Sequence, residues 1–172
     1  MVNAEGENVK MRTAIVYYSM SGNTAMVARK LAEILSADLI EIKPENAYPN
    51  KGMKKFLWGG KSALMAETQK LMPYMFTADP YDQIVFGFPV WASNIAPPIR
   101  SFVKEQHSAL LNKRISAFAC QSGNGGEKAL KRLCDCLGRE TLDATMILID
   151  PKDRPTAEND QKIELFVRDI QK

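Results

Sequence analysis

Between Tyr18 and Ala25 the chain reads Ser19-Met20-Ser21-Gly22-Asn23-Thr24, which places three hydroxyls, a carboxamide and a glycine in one short run. An apolar run precedes it and an amphipathic one follows, so it stands where a strand hands over to a helix. The first turn of a helix leaves backbone N–H groups without partners, and the helix dipole puts partial positive charge there. Together they attract an anion. Ser19, Ser21 and Thr24 add hydroxyl donors, and Gly22 lets the backbone approach closely. No Lys or Arg lies within the run. The chemistry this suits is capture of a phosphate monoester by neutral donors. Ser, Asn and Thr also cap helices without binding anything, but three hydroxyls and a glycine exceed what a cap needs.

The elements that must position this loop are a series of short apolar runs alternating with amphipathic stretches. Residues 14–18 (AIVYY), 84–88 (IVFGF), 115–120 (ISAFAC) and 145–149 (TMILI) are rich in β-branched and aromatic residues and read as buried strands. Residues 39–42 form a shorter strand interrupted by Glu41, which suits a sheet edge. Helices are expected over 24–35, from Pro97 onward, over 127–137 and over 157–171. Each carries one apolar stripe, such as Val27, Leu31, Ile34 and Leu35 in the first. Residues 48–80 are broken by Gly52, Gly59, Gly60 and Pro73, with helical pieces expected within 53–72 as a second crossover helix. Five strands separated by helices imply a parallel α/β sheet covered on both faces. Ligands of such sheets sit at the carboxyl ends of the strands, where the strand order reverses. That singles out the loops after Tyr18, Phe88 and Cys120. Residues 1–10 are polar and read as a loose tail, and 11–172 as one domain.

Those three loops, in that order, carry a family resemblance. Strand, then S-x-S-G-N-T, then helix resembles the phosphate loop of the flavodoxin family. Residues 86–102 (FGFPVWASNIAPPIRSF) are similar to a segment that flanks the isoalloxazine ring in small flavodoxin-like proteins. Cys120-Gln121-Ser122-Gly123-Asn124-Gly125-Gly126 resembles the family's third loop, on the pyrimidine side of the flavin. The resemblance covers residues 13–172. It implies a flavodoxin-like three-layer sandwich, with a five-stranded parallel sheet in the order 2-1-3-4-5, and one bound FMN. The implied cofactor contacts are Ser19, Met20, Ser21, Gly22, Asn23 and Thr24; Pro89, Val90, Trp91, Ala92, Ser93 and Asn94; and Ser122, Gly123 and Gly126. The residue types agree. Trp91 can stack on or border a flat ring, Ala92, Ser93 and Asn94 let backbone approach it, and residues 122–126 are rich in free amides.

The resemblance implies electron transfer through the flavin, to a redox partner protein or a small-molecule acceptor. The alternative is an NAD(P)H-dependent FMN reductase acting on quinones, azo compounds or similar acceptors. No side chain is expected to act as catalytic acid or base, since the flavin would carry the chemistry. A domain that kept the fold and lost its cofactor is the third reading, and the intact loops speak against it. A monomer or a homodimer is expected.

Composition narrows the function further. The net charge of +3 is spread along the chain, with no dense basic run of the kind a nucleic-acid surface needs, and no apolar run is long enough for a membrane span. Cys120, Cys134 and Cys136 make an odd number without a leader-like start, which suggests reduced thiols in the cytoplasm. With one histidine, His107, no metal site is expected. Gly60-Lys61-Ser62 lacks the strand and the earlier glycine of a nucleotide-triphosphate loop. Two features depart from acidic electron-carrying flavodoxins. The three loops contain no Asp or Glu, and residues 88–100 contain no glycine. The first lowers the expected negative charge around a reduced flavin. The second leaves Asn94 as the residue of its loop best suited to a positive φ, so two-electron chemistry is expected to be relatively favoured.

Overall fold

A computed structural model of the chain describes residues 11–46, 48 and 68–172. The strands are β1 (Thr13–Tyr17), β2 (Asp38–Glu41), β3 (Gln83–Pro89), β4 (Arg114–Gln121) and β5 (Thr145–Ile149). The helices are α1 (Asn23–Leu35), α2 (Pro97–Leu110), α3 (Gly126–Leu137) and α4 (Ala157–Ile170). All strand pairs are parallel, in the order β2-β1-β3-β4-β5. The expected tail of residues 1–10, and most of the expected helical stretch within 53–72, lie outside the described residues. Of that stretch residues 68–72 are described, and they are not helical, with Leu71 bridged antiparallel to Pro44.

Alternation along the strands sorts the core into two layers. Ala14, Val16, Ile84, Phe86, Phe88, Ile115, Ala117 and Ala119 face α2 and α3, meeting Ile99, Phe102, Leu130 and Leu133. Ile15, Tyr17, Val85, Phe118, Cys120, Met146 and Leu148 face α1 and α4, meeting Val27, Leu31, Ile163 and Phe166. The central strands are buried on both faces, which explains their unbroken apolar runs. β2 is an edge strand with Asp38, Leu39 and Glu41 exposed, as the interruption at Glu41 suggests. Pro97 and Pro98 occupy the first turn of α2, where the missing N–H groups would have had no helical partner. Cys134 is buried in α3 and Cys136 is half-buried. Among the described residues no helix is long and apolar enough to cross a membrane, and no cluster of side chains could hold a metal ion.

β1 leads into α1 on one face, whereas β3 leads into α2 on the other. The two connections diverge, and a crevice opens between them at the carboxyl ends of the strands. β3 can lie this close to β4 only because Gly87 makes room for the Phe118 ring. A Cβ at Gly87 would stand 2.3 Å from Phe118 Cζ, and Phe118 is fully buried. Gly87→Ala is expected to destabilise the fold by about 1–3 kcal/mol through overpacking, measured as a lowered urea midpoint at unchanged m-value.

Candidate functional site

The crevice is a cleft of about 280 Å³ lined by all three loops singled out above and by a fourth, residues 150–155 after β5. Met20, Ser21 and Asn23 come from the first loop, and Pro89, Val90, Trp91 and Ala92 from the second. Cys120, Gln121, Ser122, Gly123 and Asn124 come from the third, and Asp150 and Asp153 from the fourth. Ser19, Gly22, Thr24, Ser93, Asn94 and Gly126 are not among the residues that line it.

At the first loop Gly22 takes a left-handed φ of 94° as the N-cap of α1, and no side chain caps the helix. The N–H groups of Asn23, Thr24 and Ala25 therefore carry no hydrogen bond among the described residues. The Gly22 N–H is turned back to Ser19 Oγ (3.2 Å). Thr24 is almost wholly buried, and its hydroxyl has no hydrogen-bond partner. An orphaned buried hydroxyl beside open N–H groups is what a missing polar ligand would leave. Burial pushes the nearby Cys120 thiol up to about 12. The Thr24 hydroxyl beside the thiol acts in the opposite direction.

The second loop is a tight hairpin. Trp91 N–H donates to Asn94 O (3.0 Å) and Asn94 N–H to Trp91 O (2.9 Å). A two-residue connection of this kind needs both central residues left-handed, and Ala92 and Ser93 have φ of 50° and 57°. Asn94, the expected bearer of a positive φ, does not have one. Its Oδ1 instead accepts from its neighbour's Ile95 N–H (3.0 Å) and from Arg100 Nη2 (2.7 Å), which fixes it as the hairpin's base. Trp91 is both wall and core. It is held edge-on by Tyr18 (5.7 Å between centroids) and Tyr48 (4.8 Å), two aromatics the sequence did not mark for the site.

Behind the third loop Gly125 (φ 98°) is the N-cap of α3, and a Cβ there would stand 2.5 Å from Ser93 Oγ. Its absence lets the second and third loops touch. The Gly126 N–H donates to Gln121 Oε1 (2.8 Å), so Gly126 lies under the loop and not on its surface. Val90 N–H to Cys120 O (2.8 Å) completes the join.

The fourth loop corrects the expectation of little negative charge around the site. Asp150 and Asp153 line the cleft. Asp150 accepts from Ser122 Oγ (2.7 Å) and Arg154 Nε (2.9 Å), and its second contact with Arg154 is through Nη2. Asp153 Oδ2 accepts from Asn23 Nδ2 (2.7 Å). Lys152 Nζ donates to Ser21 O (3.0 Å). No local pattern marks these residues. They reach the site because β5 ends beside β4.

The strained hairpin gives a test of its own. A left-handed conformation costs a non-glycine residue roughly 1–2 kcal/mol, partly offset by the greater freedom of glycine in the unfolded chain. Ala92→Gly is expected to stabilise the ligand-free protein by up to about 1 kcal/mol, and Asn94→Gly to destabilise it. Paired denaturant melts check both signs.

A family model described as flavodoxin matches residues 12–154. Among solved structures, a flavoprotein from Lactobacillus acidophilus NCFM, crystallised in complex with FMN, superposes with a TM-score of 0.72 at 19% identity, covering 91% of this chain and 98% of that one. A putative flavoprotein from Bacteroides eggerthii DSM 20697 gives 0.70 at 20% identity, covering 92% and 96%. Two-electron reduced flavodoxin from Megasphaera elsdenii gives 0.56 at 16% identity, covering 91% and 96%. At these identities the superpositions speak for the fold alone. The family match spans most of the chain and both ends of the cleft, and the chain belongs to the flavodoxin family.

Proposed function

We propose that the cleft binds one FMN and that the chain carries electrons through it to a redox partner protein or a small acceptor. The observation that carries this reading is the ordering of chemistry along the cleft. Open first-turn N–H groups and hydroxyls stand at one end, an aromatic and aliphatic wall at the middle, and an amide-rich loop beside it. A phosphate monoester, a flat ring and a pyrimidine edge ask for that sequence of partners. When bound, the flavin supplies the redox chemistry. The N–H groups of Asn23, Thr24 and Ala25, with the hydroxyls of Ser19, Ser21 and Thr24, hold the phosphate. Trp91, Val90 and Pro89 exclude water from the ring, and residues 122–124 offer backbone donors and acceptors.

One observation favours a carrier over an NAD(P)H-dependent reductase. The cleft that the described residues line, about 280 Å³, falls just below the range usual for ligand pockets, about 300–1,000 Å³, which suits one ligand better than two stacked ones. No side chain in it is poised as an acid or base, which neither reading requires because the flavin carries the chemistry. Burial keeps the Cys120 thiol protonated, and Asp150 and Asp153 are engaged by Arg154, Ser122 and Asn23. The three free cysteines accord with a cytoplasmic setting.

The purified protein is expected to bind FMN more tightly than riboflavin or FAD. Ser21→Ala with Thr24→Ala should remove much of that preference, since a hydrogen bond to a charged group contributes roughly 1.5–3 kcal/mol. Equal affinities for riboflavin and FMN in the unsubstituted protein would contradict the phosphate role. Trp91→Leu should fold and hold a flavin with brighter emission. In an anaerobic titration of the loaded protein, NADH and NADPH should reduce the flavin slowly or not at all, and rapid bleaching by either would replace the carrier reading with the reductase one.

A further inference from the structure

We propose that residues 150–155 form a fourth cofactor-binding loop, in which Lys152 supplies the cation for the phosphate monoester. The inference rests on the reading of the cleft as an FMN site. The first loop brings no cation of its own, yet the fold delivers one. Lys152 Nζ donates to Ser21 O (3.0 Å) and pairs with Asp153 Oδ1 (3.1 Å). A Cβ built on Gly22 would stand 3.4 Å from both Cδ and Nζ of Lys152. The ammonium therefore hangs over the glycine that opens α1, the helix whose first turn carries the free N–H groups and the buried, unpartnered Thr24 hydroxyl.

Backbone contacts put it there. Asn23 Oδ1 accepts from the N–H groups of Lys152 (2.8 Å) and Asp153 (3.4 Å), and Asn23 Nδ2 donates to Asp153 Oδ2 (2.7 Å). At the loop's other end Asp150 N–H donates to Gln121 O (2.9 Å). The loop is pinned at both ends, and the Lys152 side chain, 48% exposed, is the part free to turn. A phosphate dianion is a stronger acceptor for an ammonium than a peptide carbonyl. Lys152 can exchange Ser21 O for a phosphate oxygen without backbone movement. Asp153 opposes this, because its carboxylate draws on the same ammonium and itself lines the cleft. Substitutions at the two positions should therefore act with opposite sign.

The test is titration of the flavin-free full chain with FMN and with riboflavin, at low and at high salt. Lys152→Met should weaken FMN binding roughly tenfold, the low end for a hydrogen bond to a charged group because the side chain is half in water. It should leave riboflavin binding unchanged and flatten the salt dependence of FMN binding. Lys152→Arg should retain most of the affinity, and Asp153→Asn should tighten FMN several-fold. If the unsubstituted protein prefers FMN and Lys152→Met binds it equally well, the first loop suffices and the assignment of Lys152 is wrong. Loss of both ligands in Lys152→Met, with an unchanged melting temperature, also overturns it, since the loop would then act through shape and not charge. If the unsubstituted protein binds FMN and riboflavin alike, the FMN reading fails instead.

Discussion

Every feature of the cleft follows from one constraint, the departure of the chain from β1 and β3 to opposite faces of the sheet. Parallel strands need crossovers, and crossovers have one hand. With β1 lying between β2 and β3, so that the strand order reverses there, the connection to α1 goes below where that to α2 goes above. The gap between them lies over buried strands, so its floor is apolar. Its rim is built of helix starts and tight turns, whose backbone groups lack partners. A polar rim over an apolar floor is a consequence of topology before any particular side chain is chosen.

The side chains then specialise the gap. Gly22 and Gly125 serve the same purpose at two places. Each holds a left-handed φ at the start of a helix; at Gly125 a Cβ would also crowd Ser93, whereas at Gly22 it would meet only the Lys152 side chain, at ordinary contact distance. At Ala92 and Ser93 the same backbone conformation is carried by residues that disfavour it. The hairpin between Trp91 and Asn94 imposes it, and the Arg100 contact to Asn94 keeps the base of the hairpin closed.

The strands and helices could be read from periodicity because each is buried on a regular face. The structure moves their ends by about one residue, as at residues 14–18 against Thr13–Tyr17. The first three loops were legible because their composition is local: hydroxyls and glycine after a strand, or glycines before a helix. What local reading missed came from distance. Asn23 meets Lys152 and Asp153 across some 130 positions of chain, and nothing near residue 152 announces a partner at residue 23. The carboxylate-free appearance of the three loops was true of each and misleading for their sum, because Asp150 and Asp153 arrive from elsewhere. The placement of positive φ at Asn94 followed residue propensity, and the closure of the hairpin overrode it.

The Asn23 carboxamide spans the molecule in another sense. It joins the beginning of the sheet to the end, since its partners follow the last strand to be added. During synthesis, α1 and its open first turn emerge early, but the wall opposite them is in place only after β5 has paired with β4 and Asp150 has bonded to Gln121. Completion of the cleft is thus delayed to the late steps of folding, when contacts of the greatest sequence separation close. A nascent chain would expose anion-attracting amides well before it could retain a ligand, and retention would report that the carboxyl-terminal half of the sheet had docked.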